Sequence, residues 1–583
     1  MKIILRFLKP HKRLCMFTML VMLLDVAGGL LIPTLTADMI NIGVGGGNME
    51  YIFRNGMIML AVTVLTSFGT LMGSYLCADL SARIGRDMRN ALYDKSLTFS
   101  SHDFEEFGTG SMITRTLSDV NIIQQSIVWC IQLVIPVPAM CIMGIVMAFS
   151  IDVMMGFLLI AVTGAIVILA VLVTRKASFI LEKFQSYLDR MNVVLRENLT
   201  GVRVIRAFNK ERYEEGRMKK SFEDYAEAVI KANQLFVSLE STALLGINLC
   251  IVAILWIGGN RIGAGYMKIG DITALTQYAV LILYYIIMAQ MVFLVLPRAH
   301  ICIGRIGDVL AKKPEIADGS GAGFASGQKE QKEQKKQDVV SFQNVSFRFA
   351  DADEDTLENL TFSCKRGETT AIIGSTGSGK STIAKLILRF HDTTTGTVQL
   401  NGKDIREMTQ RELRESIAYV PQKAWLFSGT VADNLRYGND LAEKADMEHA
   451  LATAQADFVN ALPDGLLATV AQGGTNFSGG QKQRLSIARA LMKQAELYIF
   501  DDSFSALDFK TDAALRKALK GETKDAAVLI IAQRISTILY AEQIIVLEDG
   551  KIAGIGNHSQ LMKTCAVYQD IAKSQMKGDD DGE

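Results

Sequence analysis

Gly374-Ser375-Thr376-Gly377-Ser378-Gly379-Lys380-Ser381 is the stretch on which the reading of this chain turns. It fits the pattern G-x-x-x-x-G-K-[ST], a loop whose glycines let successive backbone N–H groups turn inward around phosphates. In such a loop Lys380 reaches the outer phosphates and the Ser381 hydroxyl ligates Mg²⁺, with Thr382 next in the nucleotide-binding set. Thr370-Ala371-Ile372-Ile373 just before it reads as a buried strand. Ser381 to Phe390 reads as a helix, so the phosphates would meet a helix N-terminus. A ligand-free glycine turn gives no reason for strand, loop, Lys-Ser pair and helix to agree. The expected ligands are a nucleoside triphosphate and Mg²⁺.

Outward from the loop, the chain divides. Its 583 residues suggest more than one domain, and the first half is far more apolar than the second. Apolar runs recur at about 14–37, 56–78, 127–150, 153–174, 241–259 and 275–296, each near the ~20 residues that cross a bilayer as a helix. Lys9, Lys12 and Arg13, then Arg83, Arg86 and Arg89, then Arg175 and Lys176, then Arg298 and Arg305 flank these runs on one side. That side is cytoplasmic by the positive-inside bias, which puts both termini inside. The inner connections 81–121 and 175–240 are polar, helix-compatible and free of Pro, so the membrane helices should continue into the cytoplasm and turn at their tips. The basic start lacks an A-x-A site and is followed by too long an apolar run for a secretory signal; Ile4 to Lys9 reads as an amphipathic helix at the membrane surface.

A net charge of +0 gives no basic excess for nucleic acid. Eight scattered cysteines form no CxxC or Cys/His cluster, so neither zinc nor a disulfide framework is indicated. The expected organisation is a six-span all-α membrane domain over 1–311, a flexible Gly/Gln/Lys-rich linker over 312–338, an α/β nucleotide-binding domain over 339–575 and a disordered acidic tail over 576–583.

Further parts follow in order. Leu497-Tyr498-Ile499-Phe500-Asp501 is a buried strand ending in an acid suited to the Mg²⁺ shell. Phe477-Ser478-Gly479-Gly480-Gln481 opens another helix whose hydroxyl and glycine N–H groups suit a γ-phosphate. On these motifs the chain resembles the ATP-binding cassette (ABC) exporter family, nearly end to end. The resemblance implies a half-transporter whose signature, Phe477 to Gln481, acts on the nucleotide of a second cassette. It implies that Phe349 stacks on adenine, that Gln422 is the Q-loop residue touching Mg²⁺ and water, and that Ser505-Ala506-Leu507-Asp508 is the D-loop. Phe107 to Ser111 with Arg115 and Asp119 resembles the first coupling segment, and Gly201 to Phe208 the approach to the second.

Two positions depart from the family pattern. Asp502 stands where a glutamate usually acts as general base, and Gln533 where a histidine usually contacts the γ-phosphate. Asp502 is one methylene short, and a base works only within hydrogen-bond reach; Gln533 donates a hydrogen bond but carries no proton or charge. The alternative is that both are harmless variants. With the signature intact, the pattern resembles the degenerate-site subunit of bacterial heterodimeric multidrug exporters. A second half-transporter would supply the competent catalytic pair, at the plasma membrane of a bacterium, with the cassette in the cytoplasm. A homodimeric lipid or peptide exporter, or an ATP-gated conduit or regulatory subunit, stays open. So does the role of Asp25 within the first span: a counter-charge for cationic amphipathic cargo, or an interhelical or gating group. Gln132, Gln277, Tyr284, Tyr285 and Gln290 add polar points to the third and sixth spans.

Overall fold

The computed structural model describes residues 2–319 and 338–580. It forms two compact units, one of Met1–Thr98 with Phe107–Lys312, the other of Phe99–Glu106 with Lys313–Glu583.

The first unit is helical. Among the described residues, six helices are long and apolar enough to cross a membrane: Ile3–Val44, Met49–Leu97, Thr109–Ile151, Val153–Val173, Glu211–Gly263 and Ile269–Ala289. As the polar, proline-free connections predict, the helices run on past their apolar windows. Met49–Leu97 has 49 residues, Val153–Ala207 has 55 and Glu211–Gly263 has 53. At ~1.5 Å per residue the last two approach 80 Å, well over twice a bilayer core. The second tip is a tight turn through Phe208, Asn209 (φ 51°) and Lys210. The leading helix, Lys2–Leu8, is not wholly at the surface, since Phe7 is buried.

Spans one, three, four, five and six share a core of small and branched side chains, including Leu30, Met140, Ala148, Met155, Cys250, Ile254, Leu275 and Ile282. Polar ties at the outer ends fix this packing. Asn41 donates to Asp271 at 2.8 Å and accepts from the Gly270 N–H at 2.7 Å. Asp152, buried at the turn between spans three and four, caps the helix that begins at Val153 by accepting from the N–H groups of Met154 and Met155. Its other oxygen takes the Arg261 guanidinium, Nε at 3.0 Å, and that guanidinium lies over the Tyr266 ring at 4.3 Å.

The second unit is an α/β domain. Strands β1 (Asp338–Phe347), β2 (Leu357–Lys365), β4 (Thr395–Leu400) and β5 (Lys403–Asp404) form an antiparallel sheet in the order β2-β1-β4-β5. A six-stranded sheet is built from β3 (Thr369–Gly374), β6 (Ile417–Val420), β9 (Leu497–Asp501), β10 (Ala527–Ile531), β11 (Gln543–Glu548) and β12 (Lys551–Gly556). Its order is β12-β11-β3-β10-β9-β6, parallel except at the β12 edge. A two-stranded pair, β7 (Gly429–Thr430) and β8 (Thr469–Val470), completes it. β9 and β10 are buried at every residue, as near-continuous apolar runs covered on both faces require.

Three boundaries differ from the sequence reading. Lys313–Gly319, expected as flexible linker, is packed: Ile316 is buried and the Gly319 N–H donates to the Met408 carbonyl at 3.2 Å. Residues 320–337 of that linker lie outside the described residues. The last helix, Ala566–Asp580, runs into the tail expected to be unstructured, since its backbone hydrogen bonding continues past the packed turns; 581–583 lie outside the described residues. Phe99–Glu106 belongs to the second unit although it falls between two membrane helices in sequence.

Asp152→Ala removes both a cap and the partner of the half-buried Arg261 guanidinium. It should destabilise the first unit by about 2–4 kcal/mol, with Asp152→Asn losing less. Unfolding midpoints in detergent check this; equal midpoints for wild type and the alanine variant would remove Asp152 as a tie.

Candidate active site

Four neighbouring parallel strands end on one edge of the large sheet. β3 ends at Gly374 and opens the glycine loop, β10 ends just before Ala532-Gln533, β9 ends at Asp501, and β6 leads to Pro421-Gln422. Ligands of open α/β sheets bind at such carboxyl ends.

The loop from Gly374 to Gly379 has the backbone its glycines permit. Gly377 and Gly379 both have φ +89°. A Cβ on Gly379 would lie 2.5 Å from Leu357 Cδ2, and one on Gly374 would lie 2.2 Å from the Leu547 carbonyl oxygen. Ser375, Thr376 and Gly377 are exposed, while Ser378 is buried and its hydroxyl has no hydrogen-bond partner among the described residues. Lys380, the first residue of the helix Lys380–Ile387, is buried and curls back to donate to the carbonyls of Gly374 (2.9 Å) and Ser375 (2.6 Å). Burial pushes its amine below the ordinary lysine value, with Asp502 and Asp501 pulling the other way. Thr382 is buried on the same turn.

The Ser381 hydroxyl donates to Asp501 Oδ1 at 2.9 Å, and the Tyr419 hydroxyl lies 3.4 Å from Asp501 Oδ2. Burial holds the Asp501 carboxyl above the usual carboxylate range against those two hydroxyls. Among the described residues no cluster of three or more His, Cys, Asp or Glu is placed to hold a metal. The Ser381–Asp501 oxygen pair is instead the sparse, hard donor set that suits Mg²⁺ shared with phosphates. An orphaned buried hydroxyl, a glycine cradle and this oxygen pair all fit a Mg²⁺–triphosphate.

Asp502 and Gln533, the two departures, meet. Gln533 Nε2 donates to Asp502 Oδ2 at 2.8 Å, and Gln422 Nε2 donates to the same oxygen at 3.2 Å. The Gln422 amide is thus engaged by Asp502. Asp502 has φ +47°, a left-handed conformation that Asp tolerates better than most residues. Its N–H donates to the Ile531 carbonyl at 2.8 Å and its carbonyl accepts from Ser505 Oγ at 2.9 Å. Burial raises the Asp502 carboxyl above its ordinary value, with Gln422, Ser505, Lys380 and Arg534 opposing. Gln575, on the last helix, clamps the Gln533 loop by donating to the Gln533 carbonyl at 2.7 Å and accepting from the Ile535 N–H at 2.8 Å.

The signature lies at the start of the helix Gly479–Leu491. Ser478 caps it reciprocally with Gln481: the Gln481 N–H donates to Ser478 Oγ at 3.3 Å and Gln481 Oε1 accepts from the Ser478 N–H at 2.9 Å. Ser478 and Gly479 are exposed, whereas Phe477 is a core residue. A Cβ on Gly480 would sit 3.1 Å from the Ala506 carbonyl oxygen, so the signature abuts the D-loop. Within that loop Ser505, Ala506 and Asp508 are exposed and Leu507 is buried; Asp508 caps the helix Phe509–Glu522 through the Thr511 N–H at 2.9 Å. The half-buried Phe349 packs with Phe347 and His391.

Asp25 is half-buried in the first span and accepts from the Thr70 hydroxyl of the second at 2.7 Å. A separate cavity of about 430 Å³ lies between the first and sixth spans, with Thr276 and Gln277 as its polar lining. The side chain of Gln290 lies outside the described residues. Sequence reading missed Tyr419 and Gln575. Tyr419 became legible only when β6 proved to neighbour β9, and a glutamine on an amphipathic last helix carries no signal of its own.

Residues 14–286 match the family described as ABC transporter transmembrane region, and residues 357–505 match that described as ABC transporter. The chain is 37% identical over 572 residues, 97% of each chain, to an uncharacterized ABC transporter ATP-binding protein of Mycobacterium tuberculosis. It is 34% identical over 573 residues, 98% of each, to the uncharacterized ABC transporter ATP-binding protein YfiB of Bacillus subtilis. Among solved structures it is similar to a bacterial Atm1-family ABC exporter with ATP bound, at TM-score 0.80 and 25% identity, over 97% of this chain and 98% of that one.

Because burial disfavours ionised Asp501, its cost to the ligand-free fold is absent below the ordinary carboxylate range and present above it. Asp501→Asn should therefore raise the melting temperature of the nucleotide-free protein at pH 7 and abolish the further rise on adding MgATP. A melting temperature unchanged or lowered without nucleotide would contradict this account of the site.

Proposed function

We propose a function from one premise: this chain belongs to the ABC transporter family, as an exporter half-transporter with six candidate spans and one cassette. ATP-driven transport across a lipid bilayer follows from that membership. The finer reading is one subunit of a heterodimeric exporter of amphipathic drugs or lipids. In that reading this chain's own site holds MgATP but hydrolyses it poorly.

The observation that carries it is the meeting of Asp502 and Gln533 at 2.8 Å. Lys380 and the loop amides would bind the phosphate chain, and Phe349 the adenine. Ser381 and Asp501 would hold Mg²⁺, which supplies charge neutralisation at the phosphates. Gln422 faces the hydrolytic position. The proton of an attacking water needs a carboxylate within hydrogen-bond reach. Asp502 is short by a methylene and its Oδ2 already accepts from two glutamines. Gln533 cannot take or carry charge. The exposed Ser478 and Gly479, with the D-loop beside Gly480, support a second role: completing the competent site of a partner half-transporter. Asp25, tied to Thr70, is read as an interhelical group, and the mainly apolar cavity with Thr276 and Gln277 supports an amphipathic cargo.

The full chain alone should bind MgATP yet turn it over slowly. Asp502→Glu combined with Gln533→His should raise its kcat by about 10²-fold. Brisk hydrolysis by the wild-type chain alone, with no gain in the double variant, would end the degenerate-site reading. Ser478→Ala should leave this chain's own ATP affinity within twofold while lowering the ATPase of the co-purified pair at least tenfold; a normal pair ATPase would exclude a role in trans.

A further inference from the structure

His391 is buried on the turn that follows the helix Lys380–Ile387. The turn is pinned on both sides: Arg389 has φ +51° and its Nε donates to Asp392 Oδ1 at 2.8 Å, while the Phe390 N–H donates to the Lys385 carbonyl at 2.8 Å. The imidazole it presents closes a triangle of rings. His391 and Phe349 stand edge to face, 5.4 Å between centroids and 84° between planes. His391 and Phe347 are 5.4 Å apart at 44°, and Phe347 and Phe349 are 4.8 Å apart at 82°. On its other side His391 meets the His102 ring at 6.4 Å and 57°. His102 lies on the short helix Ser101–Phe107, whose third residue, Asp103, accepts from the Glu315 N–H at 3.2 Å.

We propose that His391 is a positioning residue for adenine recognition: it fixes the plane of Phe349 and ties that ring, through His102, to the segment Phe99–Glu106. The proposal rests on the reading of Phe349 as the adenine-stacking residue. Contact with two rings restrains Phe349, which stays only half-buried, and a preset aromatic plane spends no rotamer freedom when a base stacks on it. Burial holds the His391 imidazole below its ordinary value, with Lys385 and His102 acting in the same sense and Glu315 and Glu105 opposing, so the ring is neutral at pH 7 and packs as an aromatic. The tip segment and the base would then be joined by one chain of ring contacts. A shift of the tip would reach the adenine without passing through the phosphate loop.

Isothermal titration of the full chain in lipid nanodiscs separates this from a general effect on folding. MgATP is compared with magnesium tripolyphosphate, which carries the phosphates and no base. His391→Ala should weaken MgATP about 3- to 10-fold and leave tripolyphosphate within twofold, and His391→Phe should restore most of the MgATP affinity. Equal loss of both ligands, or no loss of MgATP, would overturn the proposal. A wild-type chain that binds tripolyphosphate and MgATP equally would instead overturn the adenine reading of Phe349 beneath it.

Discussion

The parallel register of four buried strands is the constraint on which the site depends. Ile531 of β10 pairs with Ile372 of β3 on one side and with Asp501 of β9 on the other, and Val420 of β6 pairs with Phe500. A slip by one residue would turn every side chain of a strand to the opposite face. Both faces are covered, by different clusters: Ile373, Phe500 and Ile530 pack on one, Ile372, Ile499 and Ile531 on the other. Only one register satisfies both. That register brings the glycine loop, Asp501, Asp502, Gln533 and Gln422 together from positions spread over about 160 residues of sequence. The burial of Lys380 and Asp501 follows from it, and so do the opposing shifts of their ionisation.

In the proposed degenerate site, Asp502 would lack one property of a general base. Burial makes its carboxyl more basic than an ordinary aspartate, so the shortfall would be reach and not basicity. One methylene separates it from glutamate, and a misplacement of about 1 Å costs on the order of 10²-fold in a positioned reaction. The left-handed backbone at Asp502 and the donors from Gln422 and Gln533 hold the short carboxylate where it stands. Glutamine in place of histidine is consistent with this arrangement: it is a neutral donor that satisfies the aspartate and then has no further charge to offer.

Much of this was legible in the sequence because the signals are local. The glycine loop, the strand ending at Asp501 and the Ser478–Gln481 cap are each written in consecutive residues with a stated backbone requirement. The six spans were legible because twenty apolar residues in a row have few other uses. What escaped depends on tertiary neighbours. Contact between Asp502 and Gln533 spans 31 residues and needs β9 beside β10. Tyr419 reaches Asp501 only because β6 lies next to β9. The packing of Ile316 could not be read from a segment whose composition says linker, because one buried isoleucine outweighs several polar neighbours once a surface is offered to it.

The membrane unit poses a complementary problem, since apolar area alone does not tell helices in lipid how to associate. The second span shows it most clearly: only 6% of its most apolar window is buried within the chain, against 39% for the sixth. Leu60, Val64, Leu65, Phe68 and Leu71 along it are exposed. Its place in the unit is set further along the helix, where Leu80, Ile84, Met88 and Leu92 are buried, and by polar contacts. Thr70 reaches Asp25, the Ser81 hydroxyl donates to the Gln124 carbonyl at 3.0 Å, Gln124 Nε2 returns to the Ser81 carbonyl at 3.1 Å, and Arg89 donates to Gln124 Oε1 at 2.9 Å. Gly85 lies beside that knot, where a Cβ would come within 2.2 Å of Gln124 Cδ. A small residue thus admits the glutamine, and the glutamine fixes the helix. A carboxylate within a span is costly in hydrocarbon, so a hydrogen bond from Thr70 gives Asp25 a structural use that requires no cargo.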